Sequence, residues 1–237
     1  MGRKKKISGR CYYCGGSATS REHVPPRAFF PEAKDLPPGS PNYRAGLVTV
    51  PSCSRHNSNY SKDDETAAYL TLLWYGSNGL SVHQFTTKAM RAFLRNPKLS
   101  KRVIKRIGPR VIVDGKETAF TSVNIDAAHR VMEKIGRAIY FDHFGEPFLG
   151  RVRSLSHGLL LHDLRPDPLA LHTATLDGEF EHEERHGAHH EIFHYQLRSL
   201  KDGKYGVRLC FYEGIVFFVL LAPEKDQPAT RQVLPGA

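Results

Sequence analysis

Residues 11–26 read CYYCGGSATSREHVPP and residues 50–57 read VPSCSRHN, and these two stretches decide the fold. Cys11 and Cys14 stand two residues apart, and Cys53 and His56 repeat that spacing about 40 residues later. Two such knuckles supply the thiolate and imidazole ligands of a closed, tetrahedral structural zinc site. The segment from 11 to about 62 is rich in Pro, Gly, Ser and Asn. Its one β-branched run, Leu47-Val48-Thr49-Val50, predicts a strand. So much loop buries too little apolar surface to hold itself together, and a bound metal remedies that. A structural Zn2+ on Cys11, Cys14, Cys53 and His56 is therefore expected.

The whole chain has 237 residues, the size of one ordinary domain or two small ones, and is 40% hydrophobic, enough to bury a core. Lys and Arg number 34 against 24 Asp and Glu, a net charge of +10, and a surface of that sign attracts polyanions, nucleic acid above all. Met1 to Lys6 is basic with no apolar run behind it, which predicts no secretory signal. No stretch approaches the roughly 20 apolar residues needed to span a bilayer. A cytoplasmic, reducing setting follows, with no membrane partner, and there a Cys-x-x-Cys pair reads as metal or redox before disulfide.

Beyond the loop-rich segment the sequence predicts a helix over Asp63–Tyr75, with a capping box at Ser61 and Asp64, and a second over Gln84–Arg95, stopped by Pro97. Leu99–Ile107 reads as basic and amphipathic, with Lys101 and Lys105, and Arg102 and Arg106, each one helical turn apart. Asp114-Gly115 predicts a tight hairpin joining Arg110–Val113 to Glu117–Ser122. Ala128, Val131, Met132, Ile135, Ile139 and Phe141 recur at helical spacing over Ile125 to about His143. Tyr205–Tyr212, a turn at Glu213-Gly214 and Ile215–Ala222 predict a strand, a tight turn and a buried strand. Residues 168–176 and 191–199 add two more strands, and the tail after Pro223 is loop.

Glu22 and His23 sit between the knuckles, and a zinc holding both ends brings them toward Asn57. Phosphodiester hydrolysis needs a base for the attacking water and a cation for the charge that develops on phosphate. A neutral imidazole takes a proton near pH 7. A carboxylate and an amide oxygen are hard ligands suited to magnesium or manganese. Glu22, His23 and Asn57 supply one of each kind.

The order Cys-x-x-Cys, Glu-His-Val-x-Pro, Val-Pro-x-Cys-x-x-(Cys or His)-Asn, Ser-Lys-Asp-Asp-Glu resembles the HNH endonucleases of the ββα-metal superfamily. It is most similar to zinc-containing bacterial proteins with an Arg-Glu-His-Val-Pro-Pro signature. The resemblance covers about residues 11 to 66. It implies that His23 is the general base at the end of a first strand. Asn57, on the helix after the second knuckle, would be the last letter of the motif and a ligand of a catalytic Mg2+ or Mn2+, and Glu22 a carboxylate on the same cation. The fourth zinc ligand, usually Cys, is here His56. The middle Asn of the motif, which orients the catalytic imidazole, has Gly46 in its place. Asn42, four residues earlier, substitutes for it, or a backbone carbonyl holds His23, or activity is reduced.

Arg21, Arg27, Lys62 and the arm Arg3 to Lys6 are candidate phosphate contacts, as are Lys101 and Lys105. Six histidines fall between His172 and His194; acidic neighbours read them as an exposed loop, with a second metal site as the alternative. Cys210, between Leu209 and Phe211, reads as a buried apolar residue, and Trp74 as core.

The expected protein is α+β: a small zinc-stapled ββα-metal module at 1–66, then helices and a C-terminal antiparallel sheet in an accessory domain over 67–237. The expected function is hydrolysis of DNA, DNA being favoured over RNA, and the accessory domain either sets substrate choice, packs under the nuclease module or makes a homodimer that cuts two strands. The rivals are a zinc-containing nucleic-acid-binding protein whose catalytic centre has decayed and a zinc-structured protein-interaction module.

Overall fold

Val24 and Val48 close one end of a short antiparallel pair: β1 (Ser20–Val24) runs against β2 (Val48–Ser52), with Glu22 opposite Val50 and His23 opposite Thr49. The computed structural model describes residues 9–58, 60–74, 76–113, 115–157 and 175–224. The arm Arg3 to Lys6, Tyr75, Asp114, His172, most of the strand expected at 168–176 and the tail beyond Glu224 lie outside the described residues. Thr175 and Leu176, the last residues of that expected strand, belong to a helical turn.

Helix α1 (Ser54–Ser58) follows β2 directly, so β1, β2 and α1 stand in ββα order. Helix α2 (Ser61–Thr71) comes next, without the capping box expected at Ser61 and Asp64. Asp64 faces the interior and takes an ammonium there, so its carboxylate cannot turn back to the helix start. The following helix begins earlier than Gln84, because the Asn78 side chain accepts the Ser81 N–H at 3.1 Å. It runs as α3 (Gly79–Gln84), one π turn at Phe85–Ala89, and α4 (Met90–Arg95).

Helix α5 (Pro97–Val103) has Asn96 as its cap and Pro97 in its first turn, and it stops at Val103. Ile104–Val113 is strand β3, paired with β4 (Lys116–Val123). The amphipathic helix expected over Leu99–Ile107 therefore forms only as far as Val103, and Lys101 and Lys105 lie on different elements. The β-branched Val103, Ile104 and Ile107 favour extended backbone, and Pro109 would clash with a preceding helical turn. The hairpin turns where Asp114-Gly115 predicts, with Gly115 at φ 74°.

Helix α6 (Ile125–Phe144) matches its periodicity: Ala128, Val131, Met132, Ile135 and Ile139 are buried. One side packs on α2. The other packs on the C-terminal sheet of β5 (Arg151–His157), β6 (His186–His189), β7 (Phe193–Ser199), β8 (Tyr205–Phe211) and β9 (Ile215–Ala222). The strand order is β5-β9-β8-β7-β6, antiparallel throughout. At Gly136 the helix comes so close to β9 that a Cβ would stand 2.6 Å from Val219 Cγ1.

A single buried cluster runs from Tyr12, Val24 and Val50 through Ala67, Leu70 and α6 to Phe217 and Leu221. The boundary expected near residue 66 falls inside α2, and residues on both sides of it share this core. Among the described residues no helix is long and apolar enough to cross a membrane.

Candidate metal centre and imidazole face

The first knuckle is folded by its own backbone. Cys11 donates to the Gly16 carbonyl at 2.7 Å, its carbonyl accepts the Gly15 N–H at 2.9 Å, and Gly15 adopts φ 73°. Tyr12 N–H then donates to Pro51 O at 2.9 Å, which pins the knuckle to β2 just before Cys53. The Cys53 carbonyl accepts the N–H groups of His56 and Asn57 at 3.1 and 3.0 Å, opening α1 and placing Cys53 and His56 on one turn.

The ligand atoms of Cys11, Cys14, Cys53 and His56 all lie within 4.8 Å of one another. His56 Nδ1 is 3.2 Å from Cys53 Sγ and 3.8 Å from Cys11 Sγ. A tetrahedron with Zn–S of about 2.3 Å has edges of about 3.8 Å, so the donor set and its spacing fit. These four side chains can hold a metal ion such as zinc. Tyr13 stacks on the His56 ring at 4.3 Å and supports the imidazole with Nδ1 toward the thiols. The Tyr60 hydroxyl donates to that of Tyr13 at 3.3 Å, and the Arg137 guanidinium lies 5.1 Å from its ring.

Strand alternation sends Glu22 inward and leaves Arg21 and His23 on the outer face of β1. The His23 ring is half-buried and makes no hydrogen bond among the described residues. Burial holds its pKa below the ordinary imidazole value, Arg27 lowers it further, and Glu22 opposes them weakly. The imidazole is neutral at pH 7. Beside it Arg21 Nε donates to Thr49 Oγ1 at 2.8 Å, and its Nη2 donates to the Thr49 carbonyl. Thr49 is the residue opposite His23 in the sheet, so Arg21 lies diagonally beside the imidazole.

Glu22 does something other than what the sequence suggests. It is 6% exposed, its Oε1 receives Lys134 Nζ at 2.6 Å, and its Oε2 receives the Tyr12 hydroxyl at 2.9 Å. Both oxygens are taken inside the protein, which corrects the expectation that Glu22 offers a carboxylate to a catalytic cation. Asn57 does reach β1: its Nδ2 donates to Ser20 Oγ at 2.7 Å and approaches the Arg21 carbonyl at 3.5 Å. It meets the strand before His23. Asn42 is exposed, and its Oδ1 accepts the Arg44 N–H at 3.1 Å. It closes its own turn and does not orient His23, and among the described residues no backbone carbonyl takes that role either.

Among the described residues the Cys/His cluster is the one group of three or more His, Cys, Asp or Glu side chains spaced for an ion. Glu22, the carboxylate expected with His23 and Asn57, is engaged by Lys134 and Tyr12, so among the described residues these three do not assemble a magnesium or manganese site. The second metal site considered for the histidines is likewise absent among the described residues. Part of that stretch is ordered strand, not loop: His186 stacks on Tyr195 at 5.2 Å, His189 Nε2 meets Ala45 O at 3.0 Å, and His194 is buried. The pairing of β6 with β7, and of β7 with β8 at His194, overrides the polar composition. His182 and His190 are exposed.

Arg27, Lys62, Lys101 and Lys105 are exposed, whereas Arg102 is held by Glu65 and Thr66. Cys210 is buried and Trp74 packs against the core, as read from their neighbours. Sequence reasoning missed Tyr12, Tyr13, Asp64 and Lys134. The available signal was Lys134 itself, a lysine on the apolar stripe of α6 between Val131 and Ile135, which demands buried carboxylates. No protein-family model, curated protein or solved structure matches the chain.

Proposed function

We propose that the protein is an HNH-type endonuclease that hydrolyses phosphodiester bonds in DNA, with His23 as general base and a structural zinc on Cys11, Cys14, Cys53 and His56. The observation that carries this reading is the His23 imidazole. It is neutral at pH 7, has no hydrogen-bond partner among the described residues, and lies on an outer face with the guanidinium of Arg21, in the field of Arg27. An open imidazole lone pair takes the proton of a water as its oxygen bonds to phosphorus. The two guanidinium groups offset the charge that grows on the non-bridging oxygens while the bond to the leaving oxygen breaks. Zinc, when bound, supplies the closure that keeps α1 and Asn57 against β1.

A second reading, a zinc-containing nucleic-acid-binding protein without hydrolytic activity, is favoured by one observation: the Glu22 carboxylate is withdrawn into its pair with Lys134. Supercoiled plasmid separates the two. Nicking by the wild-type chain, with magnesium, manganese or neither, that is lost in His23→Ala supports hydrolysis. Retention of plasmid without nicking under all three conditions supports the second reading.

A further inference from the structure

Between residues 95 and 123 the chain carries eight Lys and Arg against only Asp114 and Glu117, a balance of +6 out of the total +10. These residues are the end of α4, all of α5 and the β3–β4 hairpin, and Arg95 is the one cation of the eight that lies on α4. The hairpin strands pair only with each other among the described residues. No described side chain from Ile104 to Val123 is buried, and Ile107 and Ile112 are 66% and 77% exposed. A lone two-stranded ribbon is marginal in water and is stabilised by covering one of its faces.

The register says what that face offers. Ile107, Arg110 and Ile112 lie opposite Thr121, Ala119 and Glu117, which alternate along β4, so the three share one face of the ribbon. Arg110 pairs with Glu117 at 3.0 Å, but both are well exposed, and such a pair yields readily to a phosphate. Lys101, Lys105 and Arg106 are exposed at the base of the ribbon. A ten-residue strand extends about 33 Å, close to one turn of B-form DNA, and a two-stranded ribbon fits a major groove about 12 Å wide. Exposed isoleucines between cations suit thymine methyl groups between phosphate rails. A second copy of the chain is the poorer occupant, since it would bring two strongly cationic ribbons together.

We propose that the β3–β4 ribbon is a docking arm that enters the major groove of duplex DNA. This rests on the nucleic-acid part of the function proposed above and is independent of hydrolysis. The test is fluorescence anisotropy of a labelled duplex of about three turns, over roughly 50 to 200 mM salt without added divalent cation. It uses the full chain carrying His23→Ala. Adding Lys105→Ala, Arg106→Ala and Arg110→Ala, all exposed, is expected to weaken binding and to flatten the slope of log K against log salt by about 2 to 3. Ile107→Ser with Ile112→Ser is expected to weaken binding about tenfold and leave the slope unchanged. Circular dichroism confirms that each variant is folded. Binding by the triple-alanine chain with the parent's affinity and slope overturns the proposal. So does a ribbon variant that turns a dimer into a monomer in sedimentation while duplex binding is unchanged. Ribbon-dependent binding by a wild-type chain that never nicks plasmid removes the hydrolysis alone; nicking unaffected by the ribbon variants removes the arm alone.

Discussion

Lys134 on α6 places its ammonium 2.6 Å from Glu22 on β1 and 2.7 Å from Asp64 on α2, residues 112 and 70 positions away in the chain. The ammonium is 2% exposed and lies 5.1 Å from the centre of the Tyr60 ring, while the Tyr12 hydroxyl caps the free side of Glu22. One buried cation thus fastens the β1–β2 pair to both helices beneath it. It also explains why Glu22 is closed to solvent.

Replacing that cation should be costly. Lys134→Met leaves two carboxylates buried without a counter-charge, a loss of about 3–5 kcal/mol. Urea denaturation should show the unfolding free energy falling by that amount, with a lower midpoint. Adding Glu22→Gln and Asp64→Asn to Lys134→Met should recover much of it, because neutral amides carry a smaller desolvation penalty. An unchanged midpoint in Lys134→Met would show that the pair contributes nothing.

Asp64 gives the same cluster a pH dependence. Burial pushes its pKa up to about 6, against the opposing pull of Lys134. The unfolded value is about 3.9, so between about pH 4 and 6 the folded state binds the extra proton. Stability relative to Asp64→Asn should therefore decline as pH rises through that window and level off above it. Paired denaturation curves at several pH values check this. A difference that grows with pH would contradict the assignment.

The metal centre predicts one zinc per chain by elemental analysis, released by Cys53→Ala and retained by Cys210→Ala, whose thiol is buried in β8. Removing the ion with a strong chelator should lower the melting temperature and abolish the near-ultraviolet signal of Tyr13, which is stacked on His56. Zinc binding by Cys53→Ala at wild-type stoichiometry would exclude this ligand set.

If His23 is the base, nicking should rise with pH and reach its plateau through an ionisation below the ordinary imidazole value, since burial and then Arg27 hold it down. Arg27→Ala removes one of those two causes, so its rising limb should move to higher pH, whatever happens to the plateau rate. A limb that stays in place in Arg27→Ala would separate the titrating group from His23.

Much of this architecture was legible because its signals are local. The knuckle spacing of Cys11, Cys14, Cys53 and His56 named the metal cluster, and a 3.6-residue apolar period named α6 to within a residue. The β8–β9 hairpin followed from two apolar runs around a turn, where Tyr212 and Glu213 adopt positive φ. By itself, then, the sequence determined which residues can gather around an ion and which segments are helix or strand wherever periodicity was strong. Only the tertiary structure decided the fate of the charged groups between them. Glu22 became a structural anion because a lysine 112 residues away lies under it, and Lys101 and Lys105 parted because a helix of seven residues gave way to a ribbon. Spacing along a chain reports which side chains are neighbours on one element, but the state of a charge depends on whatever the fold packs against it.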